Sequence, residues 1–312
     1  MDTHDDGTAV LTTRSEASTA GPKWFRDALA AAVEEHVVTV RGCAVAVRSW
    51  GQRDLPGLVL VHGGAAHGRW WDHVAPFLAV DHRVVALDLS GHGDSERRAE
   101  YDMTTWAAEV TAVAHDAGFT GPPVIVGHSM GGWVTMTAAR AEAASVAGVV
   151  VLDTPFRQQT PEDQAARARK AFGPLRVYPE LAEAVIHFRT IPNQADSLPY
   201  VIEHVARTSL RQVEAGWSWK FDPRMFARTN PGLDLLSSIQ CRAAVFRSEH
   251  GLVSIDMASQ IYELLGRAAP VVEIPLAGHH VMLDQPLALV TALRTLLADW
   301  EHSAAYGRNQ VD

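Results

Sequence analysis

The chain has 312 residues, a length that suits one large α/β domain with an insertion. Hydrophobic residues make up 47% of it and charged residues 20%, as in ordinary globular proteins, so a disordered, collagen-like or coiled-coil chain is excluded. Its 36 acidic and 27 basic residues give a formal net charge of -9, which repels phosphate backbones and anionic lipids. We therefore expect neither nucleic acid nor a membrane surface as a partner.

Residues 1–22 contain early aspartates and many Thr, Ser and Ala, and they lack the basic start and the apolar centre of a signal peptide. No stretch of the chain approaches the roughly 18 consecutive apolar residues of a membrane span. The two cysteines, Cys43 and Cys241, lie far apart in apolar stretches, which favours buried thiols over a disulfide framework or a metal cluster. These features predict a disordered N-terminal tail and a cytoplasmic protein.

The first predicted element is a helix over residues 23–35, in which apolar residues recur at the spacing of one helical face. Because this helix lies outside the core fold, we expect it either to cover a pocket or to pair two subunits as a homodimer. β-Branched residues then alternate over residues 37–50 and predict two strands that turn at Gly42.

Six short apolar runs follow, and each ends in Gly, Asp, Ser or Pro, as fully buried parallel strands do. The runs are residues 58–64, 84–93, 123–132, 146–155, 241–248 and 270–275. Helical patterns lie between them, over residues 70–79, 103–117, 130–143, 255–265 and 285–301. Strands that alternate with helices predict an α/β fold with a mostly parallel, doubly wound sheet.

The stretch over residues 156–236 interrupts this alternation, because it shows no buried strand. Three amphipathic segments within it are separated by prolines and predict short helices over residues 161–173, 179–188 and 199–210. We therefore predict an inserted helical cap. The predicted organisation is a core over residues 23–155 and 237–302, a helical cap over residues 156–236 and a flexible tail over residues 303–312.

The most specific motif is G-x-S-x-G over residues 127–131, which lies between a predicted strand and a predicted helix. In such an elbow the serine occupies a strained turn, and the small flanking residues let the backbone fold tightly enough to expose the hydroxyl. The motif predicts Ser129 as a nucleophile.

Together with this elbow, three further segments resemble those of α/β-hydrolase fold enzymes. Residues 62–64 (H-G-G) are similar to the oxyanion loop of that superfamily, residues 86–95 to its D-x-x-G-x-G-x-S turn, and residues 277–286 to the loop that carries its catalytic histidine. The resemblance covers residues 37–300 and implies a serine hydrolase with a helical cap domain and no cofactor.

A serine hydroxyl is a poor nucleophile at neutral pH, so it needs a base within hydrogen-bond reach and a group that orients the base. His279 is the predicted base, since it follows the last predicted strand at the edge where open α/β sheets hold their sites. His280 is its competitor. The H-E-x-x-H and C-x-x-C patterns of metal sites do not occur, so we predict no metal. For the oxyanion hole we predict the backbone amides of Gly64 and Met130.

The acid of the site is the point at which the sequence departs from the superfamily. The loop that commonly carries an aspartate reads R-S-E-H-G-L-V-S over residues 247–254. Two carboxylates remain: Asp153 at the end of the sixth strand, and Glu249 in the usual loop. We favour Asp153, because a short side chain at a strand end is held more rigidly than a loop glutamate, and orienting an imidazole requires rigidity.

Nine tryptophans are many for this length, and we expect Trp70, Trp217 and Trp219 to line one substrate cavity. Such walls favour a hydrophobic or aromatic small molecule with an ester, lactone or amide carbonyl. The leading prediction is hydrolysis of an ester or lactone through an acyl-enzyme. The alternatives are a hydrolase that cleaves the carbon-carbon bond of ring-cleavage products, and a non-catalytic small-molecule binder on the same fold.

Overall fold

The computed structural model describes residues 21–157, 160, 162 and 175–308. Most of the predicted N-terminal tail, residues 309–312 and, except for Glu162, the helix predicted over residues 161–173 lie outside these described residues.

The strands of the structure fall into one large sheet and one hairpin. They are β1 (Glu34–Val40), β2 (Cys43–Trp50), β3 (Gly57–Val61), β4 (Arg83–Leu87), β5 (Val124–His128), β6 (Gly148–Leu152), β7 (Leu210–Val213), β8 (Gly216–Trp219), β9 (Arg242–His250) and β10 (Val271–Gly278). The large sheet has eight strands in the order β1-β2-β4-β3-β5-β6-β9-β10, and β7 pairs with β8 in the separate hairpin.

Only β1 and β2 run antiparallel to their neighbours in the large sheet, and the other six strands are parallel. Every residue of β3, β4 and β6 is buried, because helices cover both faces of the sheet. The mostly parallel α/β architecture predicted from the apolar runs is therefore confirmed. The predicted hairpin turn at residues 41–42 is present as well, with both residues at positive φ.

The α-helices of the described residues are α1 (Lys23–Leu29), α2 (Ala75–Leu78), α3 (Met103–Asp116), α4 (Met130–Ala141), α5 (Leu181–Ile186), α6 (Pro199–Thr208), α7 (Asp234–Ser237), α8 (Ile255–Leu264), α9 (Val281–Asp284) and α10 (Pro286–Arg308). Alternate residues of one strand enter different cores: Val59 and Val61 lie in one hydrophobic cluster, and Leu58 and Leu60 in another. This alternation follows from the two-residue period of a strand and places one core on each face of the sheet. Within the described residues, no helix has the length and the apolar character needed to cross a bilayer.

Three helix boundaries differ from the sequence pattern. α1 ends at Leu29, because the chain from Glu34 onward pairs with β2 as a strand. The helix predicted over residues 70–79 is divided into a 3₁₀ turn (Gly68–Trp71) and the short α2. The last helix continues to Arg308, beyond residue 302, where the core was predicted to end.

The segment over residues 156–236, here called the insert, contains more than helices. α5 and α6 occupy two of its predicted helical segments, but the chain then forms the β7–β8 hairpin, which the sequence analysis did not predict. Each of these strands has four residues, too few to show an alternating pattern. Gly216 begins β8 at φ 132°, a conformation that favours glycine.

Candidate active site

The predicted elbow joins β5 to α4, and Ser129 occupies its turn at φ 53° and ψ −117°. A positive φ is strained for a serine, so the surrounding structure must hold it. The residues on either side of Ser129 in the motif are glycines because the backbone there leaves no room for a Cβ. A Cβ on Gly127 would lie 2.3 Å from the carbonyl oxygen of Gly131, and a Cβ on Gly131 would lie 2.4 Å from that of Val61.

Hydrogen bonds from both neighbouring elements hold this turn. The amide of Ser129 donates to the carbonyl of Leu152 at 2.9 Å, and the amide of Gly132 donates to the carbonyl of Ser129 at 3.0 Å. The hydroxyl of Thr154 donates to the same Ser129 carbonyl at 3.1 Å. The serine backbone is thus tied to the end of β6 as well as to its own helix.

The structure brings Ser129, His279 and Asp153 into one chain of hydrogen bonds. The Nε2 of His279 lies 2.9 Å from the Oγ of Ser129, and its Nδ1 lies 2.7 Å from the Oδ2 of Asp153. The imidazole and the carboxylate are 4% and 1% exposed, so bulk water does not compete for either bond. An imidazole in this position can accept the serine proton while the carboxylate fixes its orientation.

Asp153 is ionised in this environment. Burial raises the pKa of its carboxyl group, but the hydrogen bond and charge of His279 and the amides of Leu252 and Val253 outweigh burial, so the pKa lies below its usual value. Those two amides donate to the carboxylate at 2.7 and 3.1 Å. Both carboxylate oxygens are therefore held by backbone amides, and Oδ2 meets the imidazole as well.

The loop after β9 holds the acid without supplying it. A Cβ on Gly251 would lie 2.3 Å from the Oδ2 of Asp153, so only a glycine leaves room for the carboxylate there. The structure does not bring the alternative acid to the imidazole: Glu249 is exposed, and its carboxylate accepts the amide of Leu276 at 2.7 Å. Gly251 lies in the loop where the superfamily commonly has an aspartate. The sequence analysis did not identify this glycine as the residue that leaves room for Asp153.

A side chain of the insert braces the loop that carries the imidazole. The Oε1 of Gln194 accepts the amide of His280 at 2.8 Å, and its Nε2 donates to the carboxylate of Asp284 at 3.0 Å. That carboxylate also accepts the amide of Gly278 at 2.6 Å. Burial raises the pKa of Asp284 to about 6. Asp284 therefore closes the histidine loop by accepting from both Gly278 and Gln194.

The other histidines of the site have structural contacts. His280, the predicted competitor, points its Nε2 toward the carbonyl of Pro192 at 3.2 Å, away from the serine. His128 lies 2.8 Å, through its Nε2, from the carbonyl of His279. His62 donates from Nδ1 to the carbonyl of Gly63 and accepts the amide of Leu89, so it ties the loop after β3 to the turn after β4. Burial lowers the pKa of His62 to about 4 and that of His128 to about 3, so both are neutral at pH 7.

The loop that carries Gly64 lies beside Ser129 and Met130, the residue whose amide is the other one predicted for the oxyanion hole. A Cβ on Gly64 would lie 3.7 Å from the Sδ of Met130, and a Cβ on the preceding Gly63 would lie 3.3 Å from the Cβ of Ser129. Within the described part of the chain neither amide donates to an acceptor. Unpaired amides beside a nucleophile are suited to bind a developing oxyanion.

A cavity of about 370 Å³ lies between the core and the insert. Gly64, Trp70 and His280 contribute to its wall from the core, and Phe188 and Trp219 contribute from the insert. The structure therefore places two of the three predicted tryptophans in the wall. Trp217 is not among the residues that line this cavity, although it packs against the same small cluster of Tyr178, Ala184 and Leu210 as Trp219 does.

Among the described residues, only one set of three or more His, Cys, Asp or Glu side chains lies close enough together to hold a metal ion, and it consists of three histidines. Nitrogen atoms of His128, His279 and His280 lie within 4.8 Å of one another. Both nitrogens of His279 already face Ser129 and Asp153. An ion bound here would therefore have to replace those contacts, and the prediction that the site uses no metal stays a prediction.

Comparison with known proteins places this site in a family. The model of the alpha/beta hydrolase family matches residues 58–293. Esterase Rv0045c of Mycobacterium tuberculosis is 24% identical over 273 residues, which cover 84% of this chain and 89% of that protein. A non-heme chloroperoxidase of Streptomyces lividans is 37% identical over 119 residues, which cover 37% of this chain and 43% of that protein. The chain spans less than half the length of this chloroperoxidase and of two other relatives matched over similarly short stretches.

Solved structures share the fold. E-2-(Acetamidomethylene)succinate hydrolase superposes with a TM-score of 0.75 at 20% identity, covering 86% of this chain and 100% of that one. The thioesterase domain from the curacin biosynthetic pathway superposes with a TM-score of 0.72 at 24% identity, covering 84% of this chain and 99% of that one. At these identities the likeness shows the architecture alone. The family match over most of the chain shows more: the protein belongs to the alpha/beta hydrolase family.

Proposed function

We propose that this protein is a cofactor-independent serine hydrolase that cleaves a carboxylic ester or lactone of a hydrophobic or aromatic small molecule. The observation that carries the proposal is the hydrogen-bonded chain from Ser129 through His279 to Asp153. Esterases and lipases among the relatives support ester chemistry. A non-catalytic binder would have no need for a strained serine aligned with a buried imidazole and carboxylate.

The proposed reaction has two stages, acylation and deacylation of Ser129. In each stage His279 first takes a proton from the nucleophile and then gives it to the leaving group. The Oγ of Ser129 attacks the carbonyl carbon while His279 takes its proton, and the amides of Gly64 and Met130 bind the resulting oxyanion. The intermediate collapses when the carbon-oxygen bond to the leaving alcohol breaks and the imidazolium returns the proton to that alcohol. A water molecule then gives a proton to His279 as its oxygen attacks the acyl carbon, and the bond from that carbon to the Oγ of Ser129 breaks. The imidazolium returns its proton to the Oγ, which releases the carboxylic acid and free serine.

Two parts of the site contribute differently to the rate. Asp153 holds the imidazole in the tautomer whose Nε2 can accept a proton, and removing such a carboxylate lowers kcat by about 10⁴-fold. Each oxyanion donor contributes about 10²-fold to 10³-fold. The insert acts as a cap in this proposal, since the cavity between it and the core is where substrate is held and water is excluded.

The test is hydrolysis of p-nitrophenyl esters and aromatic lactones by the wild type, by Ser129→Ala and by Ser259→Ala. Ser259 is an exposed serine on α8 and controls for loss of a hydroxyl elsewhere. We expect Ser129→Ala to abolish turnover and labelling by a fluorophosphonate, and Ser259→Ala to retain both. Equal turnover by the wild type and Ser129→Ala, or a wild type that the fluorophosphonate does not label, would overturn the proposal.

A further inference from the structure

The cavity beside the elbow has an uneven distribution of charge. Arg176, Arg189 and Lys220 contribute to its wall, and none of its lining residues in the described part of the chain is an aspartate or a glutamate. The two arginines are exposed, so they lie where the cavity meets solvent. The whole chain carries a formal net charge of -9, so this cationic wall is a local exception.

The three cations differ in what balances them. The ammonium of Lys220 pairs with Asp94 at 2.6 Å, so its charge is compensated within the protein. The guanidinium of Arg189 donates to the carbonyls of Ile186 and Phe188 at 2.8 and 2.6 Å, and these neutral acceptors orient it without balancing its charge.

Arg176 is also held without a carboxylate. Its guanidinium carbon lies 4.9 Å from the ring centre of Tyr178, a cation–π contact that orients the side chain. Within the described residues, neither Arg176 nor Arg189 forms an ion pair with an acidic side chain. Two oriented guanidinium groups without a carboxylate partner are suited to bind an anion from outside, in particular a planar carboxylate or a phosphate.

The rest of the wall is apolar or neutral. Trp70, Phe188 and Trp219 supply aromatic surface. His67 adds no charge, because burial lowers its pKa well below the usual value and its Nε2 lies 2.9 Å from the hydroxyl of Ser209. The cavity therefore combines an aromatic wall, Gly64 and two guanidinium groups that have no acidic partner among the described residues.

We propose that the substrate carries an anionic group, a carboxylate or a phosphate, which Arg176 and Arg189 bind while its apolar body lies against the aromatic wall. This inference rests on the proposed function, because it takes the cavity next to Gly64 as the substrate site. It adds the substrate class: an ester whose acyl or alcohol portion ends in an anion.

The first experiment compares two p-nitrophenyl esters of equal chain length, the neutral pentanoate and the anionic hemiglutarate. We expect the wild type to prefer the hemiglutarate in kcat/KM, and Arg189→Gln or Arg176→Gln to lower that preference by about fivefold each, the upper end of what an exposed ion pair contributes. Arg189→Lys should retain part of the preference, and 0.5 M NaCl should weaken it in the wild type. Arg267→Gln, which changes an exposed arginine paired with Glu263 on α8, is the matched control.

The second experiment measures binding and does not depend on turnover. Calorimetric titration of Ser129→Ala with 4-phenylbutanoate, 3-phenylpropyl phosphate and the neutral 4-phenylbutanamide compares two anions with an uncharged analogue. We expect at least one anion to bind more tightly than the amide, and the added substitution Arg189→Gln to reduce that difference by about fivefold. The anion that binds more tightly shows whether the substrate carries a carboxylate or a phosphate.

The outcomes separate the two proposals. If both esters are hydrolysed through Ser129 with the same kcat/KM and the arginine variants leave the ratio unchanged, the anionic substrate is excluded and the serine hydrolase stands. If neither ester is hydrolysed but the anions bind through the arginines, the binding inference holds and the ester chemistry does not. Equal affinity for the amide and both anions overturns the inference whatever the turnover.

Discussion

On the core side of the cavity, Ser129 and Asp153 follow two adjacent strands of the sheet, β5 and β6, whose register pairs His128 with Leu152. On the insert side, the wall comes from short helices, loops and a hairpin of four-residue strands. Ser129 and Asp153 are thus placed by continuous sheet hydrogen bonding, whereas the insert side of the cavity wall is placed by local contacts. The difference indicates that changes on the core side act on kcat, and changes on the insert side act on binding or on alignment.

The largest effect is expected at the acid. Asp153→Asn preserves the shape of the side chain but supports the wrong imidazole tautomer, so kcat should fall by about 10⁴-fold. Glu249→Gln should change kcat less than about twofold, because that carboxylate meets the amide of Leu276 and not the imidazole. Steady-state kinetics on one p-nitrophenyl ester measures both variants. A large loss in Glu249→Gln with little loss in Asp153→Asn would move the acid to the loop after β9.

Gly251→Ala tests whether that loop must leave space for the carboxylate. The added Cβ would lie 2.3 Å from Asp153, so the carboxylate or the loop has to move. We expect kcat to fall by about 10²-fold, the effect of misplacing a catalytic group by about 1 Å. Gly266→Ala is a control for glycine replacement, since its Cβ would meet nothing within 4 Å and only its φ of 70° is unfavourable. Unchanged kcat in Gly251→Ala would show that the carboxylate position tolerates movement.

Gln194→Ala tests whether the insert contributes to kcat through its contacts with the histidine loop. It removes the bonds to His280 and Asp284, so the histidine loop loses its brace while the sheet stays intact. We expect kcat to fall about tenfold with KM little changed, because the imidazole spends less time aligned with the serine. Gln194→Glu restores the acceptor for the His280 amide, but its kcat should stay below that of the wild type, because the carboxylate of the new glutamate faces that of Asp284. An effect confined to KM would make Gln194 a substrate contact.

The smallest effect is on stability and concerns Asp284. Its pKa is raised from 3.8 to about 6 in the folded protein, so the folded state binds more protons than the unfolded state between these values. The free energy of unfolding from this group therefore falls as the pH rises through that window. Asp284→Asn should remove this contribution, and urea unfolding of both proteins at pH 4 and pH 7 measures the difference. A variant that follows the wild-type pH dependence would show that Asp284 does not titrate in this range.

Local patterns in the sequence predicted most of the core side of the site. The elbow, the oxyanion loop and the histidine loop each occupy a short segment, and the buried strands that carry them are continuous apolar runs. The acid could not be decided in this way, because the contact between Asp153 and His279 joins residues 126 positions apart. Only the packed structure shows that Gly251 leaves room for Asp153 and that Glu249 faces another group.

The insert side was harder to predict for a related reason. Strands of four residues carry too little pattern to be distinguished from a helix end, and the hairpin forms because β7 and β8 pair with each other. Trp217 and Trp219 share one face of β8, but only Trp219 reaches the cavity. The brace from Gln194 to the histidine loop depends on where the insert packs, which no local motif records.

The placement of the acid after β6 has a consequence for how the protein loses activity. Neighbouring strands of a sheet are spaced about 4.8 Å apart, so the separation of serine and carboxylate lasts as long as the sheet does. The imidazole stands instead on the loop after β10, whose polar contacts come partly from Gln194 of the insert. Local opening of a loop costs less free energy than unfolding of a sheet. On heating, we therefore expect activity to fall before the sheet unfolds, and cooling to restore it.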